Sequence, residues 1–134
     1  MKVRQVVMIL FYDDNGKIML QDRRKISKWG EEYGFFGGGV EKGESPEEAI
    51  KREIKEELNL DLKDFNFFKH FNMYIKDYGF SVSRYVFLSK MSDLFKIKCE
   101  EGSPIVLDFK KYGKLKMPPG DHDILKEIYN YLLK

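Results

Sequence analysis

A single cysteine, Cys99, stands among 134 residues, which excludes an internal disulfide framework and fits a reducing cytoplasm. Long apolar stretches are missing too. The run at 6–12 is too short to span a membrane, and Arg4, Gln5 and Asp13 beside it mark the flanks of a strand and not of a signal peptide. Charge of one sign is not in excess: 24 Lys and Arg stand against 22 Asp and Glu, a net of +2, with no strong pull toward nucleic acid or membrane. Histidine is scarce, and neither His70 nor His122 has a spacing to Cys or Asp that reads as a metal site, so both are taken as structural. Ser81 and Ser83 lack a nucleophile elbow, which leaves serine hydrolase chemistry without support. Internal repeats and low-complexity tracts are absent. The expectation is a cytoplasmic protein with no membrane partner and no stable nucleic-acid complex; a homodimer is left open.

The length suits one domain, 1–134, with a real core. Apolar runs at 3–12 and 17–23 flank Asp13-Asp14-Asn15-Gly16, and Asn-Gly between such runs predicts a β-hairpin. A polar loop over 25–32 leads to a short aromatic strand at 33–36. Residues 65–76 and 80–89, rich in aromatic and β-branched side chains and joined through Asp77-Tyr78-Gly79, predict a second, longer hairpin expected to form the central sheet. A short strand follows at 104–107. Asp121 is expected to cap a last helix with Ile124, Leu125, Ile128 and Leu132 along one face. Mostly strands, with one helix in the middle and one at the end, give an α+β class with helices packed on a mixed sheet.

Residues 38–60, GGVEKGESPEEAIKREIKEELNL, carry the chemistry. Ser45, Pro46 and Glu48 form a capping box with proline at the first helical position, so a helix starts at Pro46. Ile50, Ile54 and Leu58 recur every fourth residue as its buried stripe. Glu53, Glu56 and Glu57 then fall within about 100° of helical arc on the stripe's flank. Acids in the last turns oppose the helix dipole and repel one another, each effect worth from a few tenths to about 1 kcal/mol. A solvated face softened by Lys51, Arg52 and Lys55 is the plain explanation; a cation held by carboxylates is the functional one. Upstream, Gly37, Gly38 and Gly39 let backbone approach a ligand or metal closely. The segment is locally acidic, with seven acids and four bases, inside a chain that is otherwise net basic. That division suits metal-bound phosphates.

The spacing Gly38, Glu44, Arg52-Glu53-Ile54, Glu56-Glu57, Leu60 resembles the Nudix box, G-x5-E-x7-R-E-U-x-E-E-x-G-U, with U a bulky aliphatic residue. One fixed position departs: Asn59 stands where the family has the glycine that ends the helix. Asparagine is the best other residue for a left-handed conformation, so the helix is expected to end on schedule.

The resemblance implies an α/β/α sandwich with a mixed sheet, the box forming a loop, helix and loop beside it. It also implies a site. The Gly37 carbonyl with Glu53, Glu56 and Glu57 would hold Mg²⁺ or Mn²⁺, hard cations suited to oxygen ligands, bridging a diphosphate for attack by water. Arg52 would orient Glu53, and Glu44 would fix the loop. The general base is a box glutamate, Glu53 as first choice, or an acid of a later loop, Glu101 ahead of Glu100. Arg23, ending the second strand, is expected to meet substrate phosphate ahead of Arg24, because a guanidinium fork suits that contact. Trp29, Tyr33, Phe35, Tyr74 and Phe80 are the aromatics from which one or two would stack on a nucleobase, and Gly38 and Gly39 would line the approach.

The function implied is metal-dependent hydrolysis of a nucleoside diphosphate linked to another moiety. A nucleoside or deoxynucleoside triphosphate leads, with a house-cleaning role toward damaged nucleotides. Nucleotide sugars, dinucleoside polyphosphates or capped RNA form the first alternative. A nucleotide-sensing module without catalysis forms the second, against which the intact set of glutamates speaks.

Overall fold

The apolar run at 6–12 is the later part of a ten-residue strand, β1 (Val3–Tyr12), and its residues 7–11 are buried on both faces. The computed structural model describes residues 3–28, 30–91 and 102–133. Val7, Ile9 and Phe11 point into one core and Met8 and Leu10 into the other, which is why the run is continuous and does not alternate. The expected hairpin turns where Asp13 Oδ1 accepts from the amides of Asn15 and Lys17, both at 2.8 Å, and leads into β2 (Lys17–Asp22).

Further strands are β3 (Tyr33–Gly34), β4 (Phe36–Gly39), β5 (Asn66–Ile75), β6 (Phe80–Lys90) and β7 (Ser103–Asp108). They join one mixed sheet in the order β3-β2-β1-β6-β5, with β4 also on β1 and β7 also on β2. Only β1 and β6 run parallel among the pairs. β1 meets β2 only at Phe11 and Tyr12, and farther back it pairs Val6 through Ile9 with β4. The long hairpin is therefore central through β6 alone; β5 is an edge strand. The single short strand expected at 33–36 is two pieces, the second of which runs on through the glycines.

Helix α1 (Pro46–Leu58) covers one face of the sheet. Ser45 Oγ accepts from Glu48 N at 3.1 Å and Glu48 Oε1 from Ser45 N at 2.9 Å, the reciprocal box expected. Ile50, Ile54 and Leu58 are fully buried against Val7, Ile9 and Phe36, each worth roughly 1.5–3 kcal/mol relative to exposure. At the far end Asn59 takes φ 53°, ψ 36° and donates its amide to Lys55 O at 3.0 Å. Asparagine closes the helix in the left-handed conformation.

Helix α2 (Asp121–Leu132) covers the other face, with Ile124, Leu125 and Ile128 packed on Met8, Leu10 and Val86. A 3₁₀ segment, Phe109–Lys114, which the sequence pattern does not mark, precedes it and buries Phe109 in the same core. Asp121 is not the cap. Gly120, at φ 89°, holds that position, and Asp121 is the first helical residue, its side chain buried. The sheet between two helical layers is the α/β/α arrangement implied by the box.

Candidate active site

Arg52 is the hub of the box. Its Nε and Nη2 donate to the two Glu44 oxygens at 2.6 and 2.9 Å, and Nη2 also reaches the Gly39 carbonyl at 3.0 Å. Nη1 donates to Glu53 Oε1 at 2.9 Å and to Glu56 Oε2 at 3.3 Å. The two-point grip on Glu44, with the Glu41 amide at 2.9 Å on the same carboxylate, holds the Glu44 pKa down at about 2. Glu44 thus ties the loop after β4 to the helix eight residues on.

Two of the three helical acids share a cavity wall and the third lies outside it. Among the described residues, no three His, Cys, Asp or Glu side chains are grouped to hold a metal ion. Helical spacing fixed their directions, but Arg52 competes for two of them. Glu56 lies on the guanidinium with its side chain 59% exposed, outside the cavity described below. Glu53 and Glu57, one turn apart, both line that cavity, and Glu57 is buried.

Glycine makes room for this pair. A Cβ on Gly38 would lie 2.5 Å from Glu53 Cδ, so the carboxylate rests directly on the β4 backbone. Gly37, at φ 147°, has no space for a side chain either, since a Cβ would sit 2.0 Å from the Val7 carbonyl oxygen. Gly39 serves differently: it is not in the cavity wall, and its carbonyl is an acceptor for Arg52.

The cavity, about 440 Å³, runs from Gly37, Gly38, Glu53 and Glu57 across the sheet to the amino end of α2. Four cations, Arg4, Arg23, Lys28 and Arg84, share its wall with Glu31, Glu53, Glu57 and Asp121. Arg23 is held by Gln21 Oε1 at 2.5 Å and Glu31 Oε2 at 3.4 Å, with a quarter of its side chain exposed to the opening. Of the aromatics singled out, Phe35 and Phe80 line the cavity. Tyr33 does not, lying instead under the Arg24 guanidinium at 5.6 Å. Arg24 itself is tied to Asp22, whose pKa it lowers. Tyr74 is exposed and outside the wall. Trp29, Glu100 and Glu101 lie outside the described residues. A second hollow of about 510 Å³, between β5 and the carboxyl end of α2, is bridged by Lys69 and Glu127 at 2.6 Å and holds none of the box residues. Size alone does not locate the chemistry.

Sequence reasoning missed the inner end of the cavity. Arg84 and Asp121 are both almost fully buried there, Arg84 Nη1 standing 3.7 Å from Asp121 Oδ1. Burial pushes the Asp121 carboxyl up to about 7, against the downward pull of Arg84 and Arg23. One signal was available: Arg84 is in phase with Val82 and Val86, a charge on the strand face that enters the core. His70 and His122 have structural contacts, His70 with Ser83 and stacked on Tyr85, His122 with the Leu115 carbonyl.

Two carboxylates and a glycine-lined wall at one end, an arginine at the mouth and a buried acid at the other end are now in view, and the NUDIX domain profile matches residues 1–127. The chain belongs to the Nudix family. An 8-oxo-dGTP diphosphatase of Buchnera aphidicola subsp. Schizaphis graminum is 32% identical over 136 residues, covering 96% of this chain and 98% of its own. One from Haemophilus influenzae is 25% identical over 135 residues, covering 98% of each. Among solved structures, a MutT Nudix hydrolase from Burkholderia pseudomallei superposes with TM-score 0.79 at 20% identity, over 96% of this chain and 99% of its own. The fold is shared with it. The Nudix chain is a pyrophosphohydrolase, which sets aside the sensing module. No helix among the described residues is long and apolar enough to cross a membrane.

Proposed function

We propose that this Nudix pyrophosphohydrolase cleaves a phosphoanhydride bond of a nucleoside or deoxynucleoside triphosphate, with an oxidised guanine nucleotide such as 8-oxo-dGTP as the leading substrate. The observation that carries the reading is one continuous cavity with oxygen donors at one end and a buried acid at the other. A phosphate chain fits the first end and a base edge the second. The names of the two relatives, similar along nearly their whole length, support the oxidised base.

Divalent metal fits the residues present. Mg²⁺ is commonly held by one or two carboxylates together with substrate phosphates. Glu53, Glu57 and Gly37 all line the cavity, so the two carboxylates and the Gly37 carbonyl would supply oxygen ligands, and the absent Gly38 side chain leaves the Glu53 carboxylate against the backbone. A ligand role for Glu56 requires its side chain to leave Arg52. Bound Mg²⁺ or Mn²⁺ would lower the pKa of the attacking water and neutralise charge on the leaving phosphate. Glu53, braced at 2.9 Å by Arg52, would accept the proton of the attacking water as general base. Arg23 pairs with a phosphate at the mouth, and Phe35 or Phe80 packs on the base. A cytoplasmic location belongs to the same reading, supported by the solitary Cys99.

The test is a panel of normal and oxidised triphosphates, nucleotide sugars and dinucleoside polyphosphates incubated with Mg²⁺ and scored for phosphate products. Monophosphate and pyrophosphate should form fastest from the oxidised guanine triphosphate. Faster turnover of a nucleotide sugar or dinucleoside polyphosphate would overturn the substrate assignment.

A further inference from the structure

We propose that Arg84 is a positioning residue for base selection: its guanidinium, braced on the turn before α2, holds the Asp121 carboxyl at the inner end of the cavity, where the edge of a nucleobase is read. The inference rests on the reading that the cavity takes a nucleoside.

The geometry is specific. Arg84 Nη2 donates to the Pro119 carbonyl at 2.7 Å, across 35 residues of sequence, which fixes the guanidinium plane. Nη1 then faces Asp121 Oδ1 at 3.7 Å, beyond hydrogen-bond reach. The side chains are 5% and 3% exposed, so their charge–charge attraction is little screened by solvent. A ligand edge that offers both a donor and an acceptor suits both groups, and nucleobase edges have that character.

The turn is shaped to let this happen. A Cβ on Gly120 would lie 2.5 Å from Arg84 Nη1 and 2.8 Å from Met73 Cε, and Gly120 takes φ 89°. A side chain there would strain the backbone and push the guanidinium and the Met73 thioether from their places beneath the first turn of the helix. A buried arginine carries a desolvation penalty, and a hydrophobic residue at this place on β6, between the buried Val82 and Val86, would not. The charge is explained by what it holds.

Asp121 is also faced by Arg23 from the end of β2 and Glu31 from the segment before β3, and the same cavity carries Tyr78, Arg4 and Lys28. Arg84 is the charge that pulls hardest against burial at Asp121. Removing it frees the carboxyl to turn and shifts its titration upward.

The test compares Arg84→Met, Arg84→Lys and Asp121→Asn, alone and combined, on deoxynucleoside triphosphates that differ only in the base. Thermal melting confirms that each variant is folded. Arg84→Met is expected to raise KM for the preferred nucleotide about 10-fold or more with kcat little changed, and to flatten the ratio of kcat/KM between bases. Both effects should shrink in the Asp121→Asn background, because Arg84 acts through that acid. The inflection in the pH dependence of KM should move to higher pH. If Arg84→Met does not fold, Arg84→Lys, which keeps the charge but loses the fork, should show the same loss of base discrimination. A folded variant whose base ratio and KM pH profile match the wild type overturns the proposal, and does so whichever base the wild type prefers. Failure to favour the oxidised base in the wild type would instead count against the proposed substrate alone.

Discussion

Arg52 holds Glu44 through two nitrogens, at 2.6 and 2.9 Å, and reaches Glu53 with the third. One guanidinium thereby connects the loop after β4, the helix and the acid assigned the proton-accepting role.

A planar fork makes these contacts and an ammonium cannot. Arg52→Lys is expected to lower kcat by about 10- to 100-fold, the range typical of losing a residue that orients a site. Steady-state kinetics with Mg²⁺ in excess checks this. Melting temperature should fall less in proportion, since the surrounding core of Ile50, Ile54 and Leu58 is untouched.

Glu57 is buried in the cavity wall alongside Glu53, Gly37 and Gly38. Glu57→Gln should lower kcat/KM by about 100-fold or more, partly recoverable at high Mn²⁺, because a neutral amide is a poorer ligand for a hard cation. A metal titration of activity reads the shift in apparent affinity.

Asn59 adopts φ 53°, a conformation that costs roughly 1–2 kcal/mol for a residue other than glycine. Asparagine offsets part of that. Asn59→Gly should leave stability unchanged or raise it by up to about 1 kcal/mol, whereas Asn59→Ala should lower it by about 1 kcal/mol. Denaturant unfolding of the pair measures the difference, and equal midpoints would contradict the account.

Stability should also respond to Asp121. Its folded pKa of about 7 lies above the ordinary value of 3.8, so between them the folded chain binds more protons than the unfolded one. The contribution is fully present below about pH 4 and is lost as pH rises through about 7. Asp121→Asn, neutral throughout, should flatten that part of the profile and be the more stable form on the alkaline side. Unfolding midpoints measured across this window decide it.

The legible parts of the molecule are those fixed by near neighbours. Ser45, Pro46 and Glu48 specify the start of α1 and Asn59 its end through contacts a few residues apart, so the helix follows from sequence. The Asn15-Gly16 turn is equally local. Arg84 and Asp121 meet only because β6 lies beneath the turn before α2, and Asp121, seen alone, reads as a cap. Glu31 is hidden the same way, in a polar loop that folds back on Arg23. The acid cluster is legible in its directions and not in its partners. Helical angles place Glu53, Glu56 and Glu57 on one flank, but they do not weigh a neighbouring arginine that binds two of them.

The central claim is that this cavity hydrolyses a nucleotide phosphoanhydride with carboxylate-held metal. Turnover of 8-oxo-dGTP and dGTP, with Mg²⁺ and with chelator, tests it most directly. Monophosphate and pyrophosphate released from 8-oxo-dGTP faster than from dGTP, and only with Mg²⁺ present, is the predicted result. Undiminished hydrolysis in chelator, or no hydrolysis of either nucleotide by the folded protein, would contradict it.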